Sequence, residues 1–349
     1  MNAPETIVAA DIGNSTIKLA VADSNALETR AEMGVGDKST DVISDRGADG
    51  ARDCVSIDDP FITRRSFLIN QEDLDHQICD WINEQAPDRS MSWWVSTVNY
   101  ATSRPLRAAV LSSLGERCSP EDWREISYHD VPLRVEVEAP EKLGIDRLLG
   151  AYAASVRFGG PLVVVDAGSA VTVDLVRMSD GVSPSFAGGA ILPGIRLQHS
   201  VLATGTEALR MRYSHERAVL DGTKPMTPGR NTDQAIRLGV SASVAGAIDR
   251  LYEDYSRLLG PFAAAEGTGD STNRGDDGEQ GTPQRTNSRR QGKASQDSPR
   301  LVQDSPRLVL SGGDAKAISR LLRSDHVQIP DLVCTGLLDL AVERCPNRA

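Results

Sequence analysis

Leu162-Val-Val-Val-Asp166-Ala-Gly168-Ser169-Ala-Val-Thr172 is the stretch around which the chain is organised. Leucine followed by three β-branched valines reads as a buried strand. The strand runs into Asp166, then Gly168, Ser169 and Thr172. A carboxylate can hold a hard cation, a glycine admits backbone close to a ligand, and hydroxyls donate to phosphate oxygens. Asp-Xaa-Gly also makes ordinary hairpin turns. The reading gains force from a second copy of the same design at residues 7–22, where two apolar runs flank a turn at Gly13 and Asn14. Its tip offers Asp11, Asn14, Ser15, Thr16 and Lys18. Either the tip faces water as a plain hairpin, or it binds phosphate with Asp11 coordinating Mg²⁺ directly or through water.

The surrounding composition narrows the class. The 349 residues suffice for two domains, and 40% hydrophobic with 25% charged residues fits a globular protein. A net charge of −11 argues against nucleic acid or an anionic membrane as the main partner, while a local positive cluster could still bind a small anion. No apolar run approaches the roughly 20 residues that span a bilayer. No charged segment followed by an apolar one opens the chain, so no secretory signal is expected. Cys54, Cys79, Cys118, Cys334 and Cys345 are dispersed without Cys-x-x-Cys spacing. That pattern favours free thiols and a cytoplasmic location. The five histidines show no ligand spacing.

Between the hairpins, residues 23–60 are rich in Asp, Ser and Gly and read as loop with at most a short strand. A strand is expected at 61–70, a helix at 72–88, a strand at 91–98 with Trp93 and Trp94 in the core or at an interface, a helix at 101–116 and one or two strands at 125–138. Gly144-Ile145-Asp146-Arg147 then opens a helix in which Ile145, Leu148, Leu149, Tyr152 and Val156 form an apolar stripe. Asp146 in the first turn either interacts with the helix dipole or accepts a substrate proton. Arg147 is either a surface partner or an anion anchor. Residues 185–194 read as a glycine-rich connection, 197–211 as helix, and 235–258 as an alanine-rich helix capped by Asn231 or Thr232. Residues 265–306 carry almost no apolar residue and read as a disordered insertion. Gln-Asp-Ser-Pro-Arg-Leu-Val occurs at 296–302 and again at 303–309. Folded sequence resumes near Arg307, where a strand ends in Gly312-Gly313-Asp314. Residues 315–324 and 335–343 read as helices.

Two hairpins with Asp-x-Gly tips and a late Gly-Gly-Asp turn resemble the sugar-kinase, heat-shock ATPase and actin superfamily. Within it, the chain is similar to the type III pantothenate kinase family. Six motifs carry the resemblance in the family's order: Asp11-Ile12-Gly13-Asn14-Ser15-Thr16-Ile17-Lys18, Gly144-Ile145-Asp146-Arg147, Asp166 to Thr172, Gly188 to Gly194, Gly229 to Thr232 and Gly312-Gly313-Asp314. The resemblance implies an α/β fold of two ribonuclease-H-like domains, as in actin-like ATPases, with nucleotide in the cleft between them. The division would fall at 1–150, with 23–60 variable, and 151–349, with 265–306 inserted. It implies ATP-dependent phosphorylation of pantothenate, the first step of coenzyme A biosynthesis, by a homodimer whose interface completes the pantothenate pocket. It places ATP and Mg²⁺ along Asp11–Lys18 with Ser169, and pantothenate against Gly144–Arg147 and Thr232. Asp146 would be the base, and Asp166 would hold a monovalent cation (K⁺ or NH₄⁺). Ser15 and Ser169 stand where the family more usually has threonine. Val137 stands where it commonly has a tyrosine lining the pantothenate pocket. A nucleotide-binding accessory protein and another small-molecule kinase of the superfamily are the competing readings. A P-loop enzyme is disfavoured, since no Gly-x-x-x-x-Gly-Lys-Ser/Thr occurs.

Overall fold

The computed structural model describes residues 6–32, 59–179, 183–205, 225–260 and 305–344. Its first half is built on β1 (Thr6–Ile12), β2 (Thr16–Asp23), β3 (Thr63–Leu68), β4 (Met91–Thr97) and β5 (Trp123–Glu125), with helices α1 (Ser24–Glu32), α2 (Leu74–Gln85) and α3 (Tyr100–Leu114). The strands lie in the order β3-β2-β1-β4-β5. β1 and β3 each pair antiparallel with β2, and β4 and β5 continue parallel to β1.

A short β6 (Arg134–Val135) and helix α4 (Ile145–Phe158) lead into the second half. There follow β7 (Leu162–Ala167), β8 (Ala170–Ser179), β9 (Ser183–Pro193), α5 (Ile195–Gly205), α6 (Thr232–Leu259), β10 (Arg307–Ser311), α7 (Ala315–Ser319), β11 (His326–Gln328) and α8 (Leu332–Arg344). The second sheet runs β11-β10-β7-β8-β9-β6. From β7 onward this repeats the first sheet's plan: an antiparallel hairpin and third strand on one side, two parallel strands on the other. The ribonuclease-H-like unit is present twice, as in actin-like ATPases.

Strand alternation explains the layering. From β1, Ile7 and Ala9 join a central apolar cluster, while Val8, Ala10 and Ile12 face α2 and α3. From β7, Leu162 and Val164 join the same central cluster, while Val163 and Val165 face α5 and α6. Helices α4 and α8 fill the centre between the sheets. They pack closely: a Cβ on Gly336 would lie 2.5 Å from the Leu149 carbonyl oxygen. Two polar contacts tie the same helices together. Arg157 Nη1 donates to Asp339 Oδ2 at 2.6 Å, and Tyr152 Oη donates to Glu343 Oε2 at 2.7 Å.

Four expectations need correction. Residues 24–32 form helix, not loop; Asp23 Oδ1 accepts from the backbone N–H groups of Asn25 and Ala26, and Leu27 is buried. Residues 185–194 are not a connection but most of β9, paired along β8. Val156 is exposed, and Arg157 is the buried member of that turn because Asp339 neutralises it. Helix 315–324 is also shorter than expected, ending at Ser319. Most of 23–60, nearly all of 265–306, and residues 206–211 of the expected helix lie outside the described residues.

The helix crossing yields a prediction whose sign is decided by magnitude. Gly→Ala inside a helix ordinarily gains about 1 kcal/mol. At Gly336 the obstructing atom is backbone, so overpacking of about 1–3 kcal/mol should prevail. Chemical denaturation of Gly336→Ala should show a lower midpoint at unchanged slope; a higher midpoint would contradict the close crossing.

Candidate functional site

The two hairpins place their polar tips together. β1 ends with Asp11 and Ile12, and Gly13 N–H donates to the Thr16 carbonyl at 3.0 Å to close the first turn. The second turn closes likewise, with Gly168 N–H donating to the Ala170 carbonyl at 2.9 Å. Across the cleft, the Ser15 and Ser169 hydroxyls lie 2.7 Å apart. Asn14 and Ser15 are exposed, Thr16 is half-buried, and Ile12 and Ile17 anchor the tip in the core. Asn99, the N-cap of α3, donates through Nδ2 to the Gly13 carbonyl at 3.4 Å.

Carboxylates converge behind these tips. Asp11 lies opposite Lys18 in the β1–β2 register. Burial pushes the Asp11 carboxyl up to about 7; Lys18 opposes this, and Asp146, Asp166 and Asp331 reinforce it. Burial alone would lower Lys18, but Asp166, Asp11 and Asp331 hold its ammonium above the ordinary lysine value. Asp331, at φ 48° just before α8, pairs with Lys18 Nζ at 3.8 Å. Asp166 Oδ1 is buried and has no hydrogen-bond partner. An orphaned carboxylate oxygen in a cleft with several acids and one lysine suits a cation. Among the described residues, no group of three or more His, Cys, Asp or Glu side chains is arranged to hold a metal ion.

Asp146 is set by α4. Gly144 is the N-cap, and the Arg147 backbone N–H donates to Asp146 Oδ1 at 2.9 Å. Burial, chiefly, raises the Asp146 carboxyl above its usual range; the Arg147 backbone bond opposes this and Asp166 adds to it. Arg147 is not a surface residue. Its Nε donates to Asp174 Oδ1 and Oδ2 at 3.1 and 3.2 Å, its Nη2 also bonds Asp174, and its guanidinium carbon lies 5.6 Å from the Phe186 ring centroid. Val137 packs beside Gly188, on the strand that carries Phe186.

Asp11, Lys18, Asp146, Arg147, Asp166 and Ser169 thus share one cleft. Gly312 joins them from β10: its φ of 99° suits glycine, and the Asp314 N–H donates to the Ala167 carbonyl at 2.9 Å. Thr232 stands apart. It starts α6, with Asn231 as the cap, and lines a groove of about 570 Å³ with Gln198, Ile236 and Val240. Sequence reasoning missed Asp174, Asp331 and Asn99. An acid inside the apolar run Val171-Thr-Val-Asp-Leu-Val176 was the available signal, since buried acids need partners.

Comparison with known proteins gives a consistent family. Residues 57–254 match the model of type III pantothenate kinase. A type III pantothenate kinase of Rhodopirellula baltica is 35% identical over 249 residues, covering 71% of this chain and 83% of its own. The Nocardia farcinica protein of the same name is 34% identical over 137 residues, covering 38% of this chain and 47% of its own. The chain therefore spans most of the first relative and about half of the second. Among solved structures, ethanolamine utilization protein EutJ from Carboxydothermus hydrogenoformans is similar at a TM-score of 0.42 and 12% identity, over 97% of this chain and 90% of that one.

Asp11 supplies a stability test. Its folded value near 7 exceeds the unfolded value of 3.8, so the folded state holds a proton that the unfolded state has released. That contribution is complete below about pH 4 and is lost as pH rises to about 7. Asp11→Asn should therefore melt several degrees above the wild type, without nucleotide, at mildly alkaline pH. The gap should close as the solution is acidified. A variant less stable than wild type throughout would contradict the buried-charge account.

Proposed function

The chain belongs to the type III pantothenate kinase family, and we propose that it transfers the γ-phosphoryl group of ATP to the 4′-hydroxyl of pantothenate. This is the entry reaction of coenzyme A biosynthesis, and a cytoplasmic setting suits it. The observation that carries the reading is the convergence of Asp146, Arg147, Asp11 and Asp166 at one cleft. Phosphoryl transfer asks mainly for positioning and charge neutralisation, and the residues divide those tasks.

Asp146 is the proton acceptor. Burial raises its carboxyl above the usual range and the Arg147 N–H holds it in place, so it can orient the attacking hydroxyl and take its proton. Arg147 receives the pantothenate carboxylate, and Gly144 and Ile145 complete that wall. Asp11 to Lys18 and Ser169 embrace the triphosphate, while Gly312 and Gly313 give adenosine a side-chain-free surface. Mg²⁺ and a monovalent cation, K⁺ or NH₄⁺, when bound, offset phosphate charge. Asp11 is the carboxylate for the former, acting with the phosphates, and the orphaned Asp166 Oδ1 the one for the latter. Thr232 lies in the groove between α5 and α6, where Leu197 and Val201 are exposed nearby. A homodimer through this face would let Thr232 serve a partner's pocket.

Asp146→Asn should lower kcat by about a thousandfold, the range for losing a general base, while the ATP dissociation constant stays within about twofold. Turnover near wild type would remove Asp146 from the chemistry. In parallel, Asp166→Ala should abolish the shift in nucleotide affinity caused by K⁺ or NH₄⁺.

A further inference from the structure

Asp174 lies outside every motif that pointed to the site, yet it is the hydrogen-bonding and ionic partner of the Arg147 side chain. It sits in mid-strand on β8, and its side chain is only 2% exposed. Such a carboxylate needs a reason to be there. The space around it is reserved: opposite Asp174 in the register stands Gly189, where a Cβ would lie 2.2 Å from Asp174 Oδ1. Arg147 Nε and Nη2 both bond this carboxylate, and the guanidinium rests over Phe186. With those nitrogens engaged, Nη1 is the nitrogen with no hydrogen bond among the described residues. The guanidinium is thus fixed on two sides and offers one remaining edge, next in the chain to Asp146.

We propose that Asp174 is a positioning residue for substrate selection: it clamps Arg147 so that the free edge of the guanidinium receives the carboxylate of an anionic substrate while the substrate hydroxyl meets Asp146. The inference rests on the pantothenate kinase reading and assigns its selectivity for a negatively charged acceptor. A planar fork held by a bidentate partner loses less freedom on binding a second carboxylate than a loose side chain would. An amide at position 174 cannot replace the clamp. It accepts through one oxygen only, and its own N–H groups confront those of Arg147.

The test uses the full chain and two acceptors: pantothenate and its neutral alcohol analogue, which keeps the 4′-hydroxyl but lacks the carboxylate. The quantity read is the ratio of their kcat/KM values. In Asp174→Asn this ratio should fall at least tenfold, through a higher KM for pantothenate, with kcat for pantothenate and KM for ATP within about threefold of wild type. A purely structural role for Asp174 would depress both acceptors alike and leave the ratio unchanged, which would overturn the proposal. A ratio that rises would mean that Asp174 competes with substrate for Arg147, which would overturn it too. Should Asp174→Asn fail to fold, Asp174→Glu keeps the charge but displaces the fork, and the same fall is expected. A wild-type protein that phosphorylates neither acceptor overturns the kinase reading itself. One that prefers pantothenate by the same ratio as its Asp174 variant overturns only the role of Asp174.

Discussion

The close crossing of α4 and α8 between the two sheets is the constraint on which the rest depends. Gly336 lets the α8 backbone approach the Leu149 carbonyl, and Ala153 lies against the same spot. Helices brought this near bury their apolar faces on both sheets at once, so one central cluster draws residues from β1, β2, β7 and β10. The site inherits its geometry from this crossing. Asp146 and Arg147 stand at the start of α4, and Asp331 stands immediately before α8. Moving either helix would move the proposed base relative to the carboxylates of the hairpins. The buried Arg157–Asp339 pair, both side chains 8% exposed, fixes the register of the same two helices. Breaking one partner of such a pair leaves an uncompensated buried charge, so its value lies more in specifying one arrangement than in added stability.

The second theme is charge. Asp11, Asp166 and Asp331 crowd around one lysine, and Asp146 adds its charge beside Asp11 and Asp166. This is an unfavourable arrangement: burial first, and then the neighbouring acids, raise the carboxyls of Asp11 and Asp146. Cations arriving with phosphates would relieve it. A site assembled against its own stability is what function imposes when the ligand carries the compensating charge. Arg147 and Asp174 form a separate, balanced pair at the edge of this negative field, which keeps a guanidinium usable beside so many acids.

Much of this was legible in the sequence, because strand alternation and turn chemistry are local. The two Asp-x-Gly hairpins, the core placement of Trp93 and Trp94, helix α4 from its first residue and the Asn231 cap all follow from short-range patterns. What escaped was set by distant partners. β9 resembled a connection because Gly188 and Gly189 weaken strand propensity; its glycine is explained by Asp174, fifteen residues earlier, across the ladder. Val156 continued an apolar period that the fold does not use, because Asp339, far along the chain, claims Arg157 for the buried side of the turn. Arg147 stayed open between a surface partner and an anion anchor for the same reason: its partner lies on another element. Asp331 gave no local signal beyond Pro330 before it, and only its pairing with Lys18 reveals it.

The most direct test of the account is product formation by the wild-type chain. Pantothenate, ATP and Mg²⁺ are supplied with and without K⁺ or NH₄⁺, and the product is identified by mass. The account predicts 4′-phosphopantothenate in amounts that depend on the monovalent cation. A folded protein that binds ATP yet leaves pantothenate unchanged under every cation condition would contradict it.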